Sequence, residues 1–182
     1  MGMALHAPLY TVDDLEKFPD DGNRYELLNG VLFMTPAPGS PHQAVATYLA
    51  ALLINALRMP GYAHVYAPGA VVKPPRTWLE PDVLVVPSRF PRGGPWVEMT
   101  EHWLAVEVLS RSTESRDRNV KRDAYFQLGV REVWLVDPRK KLVEVSREPG
   151  KFDVVRDVVQ LHIPEVPITV TIDLRDVFAG LP

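Results

Sequence analysis

Cysteine is absent from the 182-residue chain, which excludes disulfides and thiolate metal sites. That absence fits a protein of the reducing cytoplasm. Long hydrophobic runs are missing too: the longest apolar stretch, Ala44 to Leu57, is broken by Thr47 and Asn55 and is too short to span a bilayer. Met1 to Tyr10 holds neither a basic n-region nor an apolar h-region, so no secretion signal is expected there. The five histidines, His6, His42, His64, His102 and His162, show no paired metal-ligand spacing. No Gly-rich phosphate loop, nucleophile elbow or dinucleotide fingerprint appears. Nor does one sign of charge dominate, since 20 basic residues stand against 23 acidic ones. The chain as a whole is therefore not a polyanion binder.

What is present reads as one soluble domain spanning residues 1–182. Hydrophobic residues make up 46% of the chain, enough at this length to bury a core without staples. The 18 prolines are about twice the usual share and stiffen the connections. Residues 1–20 read as an N-terminal arm with a short helix, and residues from about 140 to 182 as a C-terminal β extension. Charge is locally uneven: Arg111, Arg116, Arg118, Lys121 and Arg122 crowd one segment, and Arg139, Lys140 and Lys141 another. Such a patch serves either as a nucleic-acid contact or as a solvated helix face.

The pattern of elements is mixed α and β. Thr11 to Asp14 has the capping-box spacing, opening a helix through Phe18. Tyr25 to Met34 predicts a hairpin around Asn29-Gly30. Ser40 as cap and Pro41 in the first turn introduce the clearest helix, His42 to Arg58, stopped by Pro60-Gly61. Its apolar residues Val45, Leu49, Leu52, Leu53, Ala56 and Leu57 recur at three- and four-residue spacing. Tyr62 to Lys73 reads as a strand pair or one bent strand. Asp82 to Val86, Trp103 to Leu109 and Glu132 to Val136 are buried-strand runs. Ser112 or Thr113 opens a helix that Gly129 stops near Leu128. Leu142 to Ser146 and Phe152 to Arg156 form an antiparallel pair around Pro149-Gly150, and Ile168 to Phe178 adds a strand and a turn of helix. These elements imply a central mixed sheet flanked by helices, an α/β class of α+β type.

Two acids lie where burial normally forbids them. Asp82 opens the run Val83-Leu84-Val85-Val86, and Glu107 sits inside Leu104 to Leu109. A buried carboxylate costs several kcal/mol unless paired or metal-bound. Two carboxylates on neighbouring strands suit Mg²⁺, which takes oxygen ligands and keeps water for substrate. Each acid also has a plainer reading: Asp82 as a turn residue after Pro81, Glu107 as partner to a buried lysine or arginine. Asp117, Lys121 and Tyr125 are four apart and share a helix face. Lys121 would reach a phosphate near the acids or pair with Asp117. Tyr125 and Trp134 read as core, and Asp137-Pro138 as a strand terminator. Glu26 has Arg24 as a neighbouring base to pair with. His42 begins the long helix, where a helix N-terminus can hold an anion or substrate group, but a structural role is the expectation.

Tyr25-Glu26-Leu27-Leu28-Asn29-Gly30, Pro81-Asp82, Glu107-Val108-Leu109-Ser110 with Ser112-Thr113, then Asp117, Lys121, Tyr125, Gly129-Val130 and Glu132 to Pro138 follow in order. From Thr11 to Val145 this ordered set resembles the Uma family of restriction-endonuclease-like proteins, a branch of the PD-(D/E)XK nuclease superfamily. The resemblance implies a restriction-endonuclease-like core. It implies Mg²⁺, with Mn²⁺ as a substitute, held by Asp82 and Glu107, with the Val108 carbonyl as a third oxygen. Glu26 would be an auxiliary acid, with Asp117 and Tyr125 beside it. One departure stands out: the superfamily lysine belongs two residues after the Glu, and Leu109 holds that position here. Lys121 would then serve as a lysine migrated to the following helix. Arg116, Arg118 and Arg122 would track a nucleic-acid backbone.

The reading that follows is a metal-dependent endonuclease of DNA, with a homodimer expected if both strands are cut. The rival is a nuclease-fold protein that binds nucleic acid or a protein partner without cutting. A third reading is a structural oligomer subunit. Convergence of Asp82, Glu107 and Lys121 in space separates the first from the others.

Overall fold

The computed structural model describes residues 9–181. Most of Met1 to Tyr10, including His6, lies outside them. Along the chain run α1 (Val12–Leu15), the hairpin β1 (Arg24–Leu28) and β2 (Val31–Thr35), then α2 (Ser40–Leu53) with a π-helical continuation Ile54–Arg58. Next come β3 (Ala63–Tyr66), β4 (Val71–Lys73), β5 (Thr77–Leu79), β6 (Val83–Pro87) and β7 (His102–Val108). A helical crossover follows, made of α3 (Glu114–Arg116), a π turn Asp117–Lys121 and α4 (Arg122–Gln127). The chain ends with β8 (Val130–Asp137), β9 (Leu142–Glu148), β10 (Lys151–Val155), β11 (Val158–His162), β12 (Thr169–Asp173) and α5 (Leu174–Val177).

Six strands form the central sheet in the order β10-β9-β8-β7-β6-β3. Only β7 and β8 pair in parallel, so the sheet is mixed. A parallel pair needs a long crossover, and the helical segment between Glu114 and Gln127 supplies it. The central strands are buried on both faces: every residue of β6 and β7, and all of β8 except Arg131, is buried. This explains why they read as continuous apolar runs rather than alternating ones. On one face lies α2, with Val45, Leu49 and Leu53 wholly buried, beside the β11–β12 hairpin and α5. The other face is covered by α4 and a four-stranded sheet of order β2-β1-β5-β4. The site forms in the seam on this second face.

Several local expectations shift. The first helix ends at Leu15 rather than Phe18. Gly39, not Ser40, is the N-cap of α2. Tyr62 to Lys73 is neither a pair nor one bent strand, because β3 joins the central sheet while β4 joins the smaller one. The helix from Thr113 is interrupted by the π turn, which adds a residue to the local winding. The strands β5 and β11 carry no expectation from sequence. Among the described residues no helix is long and apolar enough to cross a membrane.

Candidate active site

Strand register brings the two unusual acids together. β6 and β7 pair with Val83 opposite Val106 and Leu84 opposite Ala105. One step further along this antiparallel register, Asp82 falls across from Glu107. Alternation sets Asp82 on the side of Leu84, and Glu107 on the side of Ala105 and Leu109, the face covered by α4 and the small sheet. Both carboxylates are buried, at 6% and 4% exposure. Like charges directly opposed across a strand pair are destabilising, so the surroundings must compensate.

They do so with a dense set of donors. Asp82 Oδ1 accepts from Arg24 Nη1 at 3.1 Å. Its Oδ2 accepts from the Val108 backbone N–H at 2.8 Å and stands 3.0 Å from His42 Nε2, the geometry of an Nε2–H donor. Burial pushes the Asp82 carboxyl up, but His42, Arg24 and the Val108 amide together hold it below its usual range. Lys121 Nζ lies 2.5 Å from Glu107 Oε1 and 2.7 Å from Glu26 Oε1. The Tyr125 hydroxyl donates to the same Glu107 oxygen. Glu107 is raised to about 8, first by burial, with the Lys121 ammonium opposing and Asp117, Asp82 and Glu26 adding to the rise. Burial works against the charge on Lys121, yet Glu107, Glu26 and Asp117 outweigh it and keep the ammonium protonated.

The crossover helix delivers these groups. The π turn spans Asp117 to Lys121 and both ends are buried, facing the cleft. Asp117 is raised chiefly by burial, and its Oδ1 is buried without a hydrogen-bond partner. Arg116, one residue earlier, donates to Thr35 Oγ1 at 2.8 Å and lies over the Phe33 ring, which fixes its guanidinium between β2 and the cleft. Ser110 and Thr113 share a hydrogen bond of 3.0 Å between their hydroxyls, closing the loop that leads from β7 into α3. The cleft has a volume of about 120 Å³. Arg24, Glu26, His42, Asp82, Glu107, Arg116, Asp117 and Lys121 all line it, with the segment from Pro36 to Gly39 along one rim.

The family described as "Uma2: Putative restriction endonuclease" matches residues 12–175. The chain belongs to the Uma2 family. A solved structure similar to it is the "putative nuclease belonging to DUF820" from Anabaena variabilis, at 18% identity and a TM-score of 0.72. The match covers 92% of this chain and 97% of that one, and establishes a shared fold. No curated protein matches the chain.

Within this Uma2 chain the site residues expected from sequence divide into two groups. Asp82, Glu107, Lys121, Glu26, Asp117 and Arg116 line one cleft, and Tyr125 touches it through Glu107. Lys121 pairs with Glu107 and Glu26 rather than with Asp117. Arg118 and Arg122 do not line the cleft. Arg118 binds Glu114, Asp137 and Glu144, and Arg122 binds Glu144, so Arg118 ties the helix to β8 and β9 and Arg122 ties it to β9. Two further cleft residues have parts that the sequence pattern does not assign. His42, expected to be structural, and Arg24, expected only as a neighbour of Glu26, both hold Asp82. Alternation along β1 puts Arg24 and Glu26 on one face, a signal that the sequence itself contains.

The donor set fits a hard divalent cation. Four carboxylates, Glu26, Asp82, Glu107 and Asp117, face three fixed cations, Arg24, Arg116 and Lys121. Asp117 Oδ1 has no hydrogen-bond partner, although Arg116 Nε stands 3.7 Å away, and burial raises both Asp117 and Glu107. Both contacts to Glu107 use Oε1, leaving Oε2 for another partner. Among the described residues no group of three or more His, Asp or Glu side chains is placed to hold a metal ion. Mg²⁺ is characteristically held by one or two carboxylates with water and substrate oxygens completing its shell.

Proposed function

We propose that this Uma2 protein is a metal-dependent nuclease that hydrolyses DNA phosphodiester bonds. One observation carries the reading: two buried carboxylates oppose each other across β6 and β7, and a lysine from the crossover helix meets one of them. Lys121 would then take, from a different element, the part that Leu109 leaves vacant.

In this reading Asp82 and Glu107 would hold Mg²⁺ or Mn²⁺. The bound ion supplies a water of lowered pKa and charge relief at the scissile phosphate. Lys121, fixed between Glu107 and Glu26, would donate hydrogen bonds to the attacking water or to the oxygen on which negative charge develops. Glu26 keeps that ammonium in place, and its own Oε1 is anchored by the Glu80 backbone N–H at 2.8 Å. Tyr125 orients Glu107. Arg116 would take a non-bridging phosphate oxygen, since Thr35 and Phe33 already set its direction. Arg118 and Arg122 act elsewhere, holding the helix that carries Lys121. Nucleases that cut both strands of a duplex often work as dimers, and a two-copy assembly belongs to this reading.

The test is cleavage of supercoiled plasmid, single-stranded and branched DNA with Mg²⁺ or Mn²⁺. Asp82→Asn, Glu107→Gln and Lys121→Met should each lower the rate by about a hundredfold or more. Cleavage that persists in all three variants refutes the assignment, and a pure wild-type protein that binds DNA without cutting it points to the rival reading.

A further inference from the structure

Both carboxylate oxygens of Asp82 are engaged. Its Oδ2 is held by the fixed Val108 amide and by His42 on the first turn of α2, while its Oδ1 is held by Arg24. Oδ1 accepts from Arg24 alone and so has room for an ion, which must either share that oxygen with the guanidinium or displace it. The Val108 N–H belongs to the strand and cannot leave. His42 is the more enclosed of the two side chains, at 15% exposure against 25% for Arg24. Arg24 sits on a long stem at the first residue of β1. Its other contacts are the Glu80 carbonyl at 3.1 Å and, more loosely, the Glu80 carboxylate at 3.6 Å. A guanidinium and a dication repel each other strongly when both approach one carboxylate oxygen in a buried site.

We propose that Arg24 is a stand-in cation: it neutralises Asp82 until a divalent ion takes Oδ1, and its released guanidinium then binds the substrate phosphate. The proposal rests on the nuclease reading and adds a residue with two sequential partners. No bond is made or broken in this exchange, in which one cation replaces another on the carboxylate. It predicts an unusual separation of effects. Removing the charge of Arg24 strengthens ion binding and weakens catalysis, whereas a merely structural role would weaken both.

The experiment measures Mn²⁺ binding to the full chain by electron paramagnetic resonance without DNA, and cleavage in parallel. Arg24→Gln should bind Mn²⁺ about tenfold tighter than wild type while cleaving at least about tenfold more slowly. Arg24→Lys, which keeps the charge, should stay near wild-type affinity. If Arg24→Gln does not fold, phenylglyoxal labelling of the wild type reads the same event, because Mn²⁺ should raise modification of Arg24 in peptide maps. Equal or weaker Mn²⁺ binding by Arg24→Gln, or labelling unchanged by Mn²⁺, overturns the stand-in role. Should the wild type bind Mn²⁺ and cut DNA, either result leaves the nuclease reading intact. Absence of Mn²⁺ binding in wild type and Arg24→Gln alike overturns both.

Discussion

His102 is a buried acid sensor of stability that is independent of the cleft. It is the first residue of β7, on the α2 side with Leu104 and Val106, and only 2% exposed. Neither ring nitrogen has a hydrogen-bond partner. Burial alone lowers its pKa from 6.5 to about 4. The folded protein therefore keeps the ring neutral, while the unfolded chain takes up a proton as soon as pH falls below the ordinary histidine value. Stability tied to this group is fully present above pH 6.5 and is lost as pH falls through the folded value near 4. A drop of about 2.5 units at 1.36 kcal/mol each amounts to about 3 kcal/mol. His102→Leu removes the titration and keeps an apolar side chain of comparable bulk. Urea unfolding of both proteins between pH 7.5 and pH 4 isolates the effect, because every other titrating group is common to the pair. The stability gap should move in favour of His102→Leu by about 3 kcal/mol across that range. A gap that stays constant with pH would refute the reasoning and imply a buried partner for the ring.

Glu107→Gln tests the crowding of carboxylates without any metal. Folded Glu107 holds its proton to about pH 8, so the stability tied to it is lost as pH rises from about 4.5 to 8. The variant's melting temperature should gain on wild type over that window, and parallel pH profiles would count against the crowding. Arg118→Met removes the guanidinium shared by Glu114, Asp137 and Glu144, while Asp137 keeps the Arg139 and Lys140 amides, and should cost about 1–3 kcal/mol in chemical denaturation. Mn²⁺ affinity of the folded variant should stay at the wild-type level. Gly69→Ala sets a Cβ 2.6 Å from Leu84 Cβ, a clash inside the strand next to Asp82, and should cost about 1–3 kcal/mol in thermal unfolding. Leu49→Ala opens a cavity under α2 and should cost about 2–5 kcal/mol in the same assay while leaving Mn²⁺ affinity unchanged.

Local signals in the chain carry the elements that local chemistry decides. Asn29 and Gly30 both adopt positive φ, at 53° and 85°, as the hairpin between β1 and β2 requires. The apolar runs of β6, β7 and β8 are legible because both faces are covered. β5 is not, since it is three residues long and exists only by pairing with β1 and β4. The separation of β3 from β4 into different sheets likewise depends on partners far along the chain. In the site, Asp82 and Glu107 stand out as acids in apolar strands. Arg24 does not, because its partner Asp82 lies 58 residues away. Arg118 and Arg122 look like free charge in a basic segment. Apart from Glu114, four residues before Arg118, their acidic partners come from β8 and β9, and one-dimensional charge counting does not see those.

The parallel pairing of β7 with β8 has a consequence for how the protein matures. Lys121 rides the crossover between those strands, and its bond to Glu26 bridges 95 positions of chain. During synthesis Glu26, Asp82 and Glu107 all leave the ribosome before the lysine that neutralises two of them. The crossover cannot settle until β8 has docked beside β7. Contacts of such long sequence separation form late, after local structure has offset the entropy of closing the intervening loops. An incomplete or partly folded chain thus holds acidic groups but no assembled centre. Competence would arrive only with the finished fold, which for the proposed nuclease is a safeguard of the cell's own polymers.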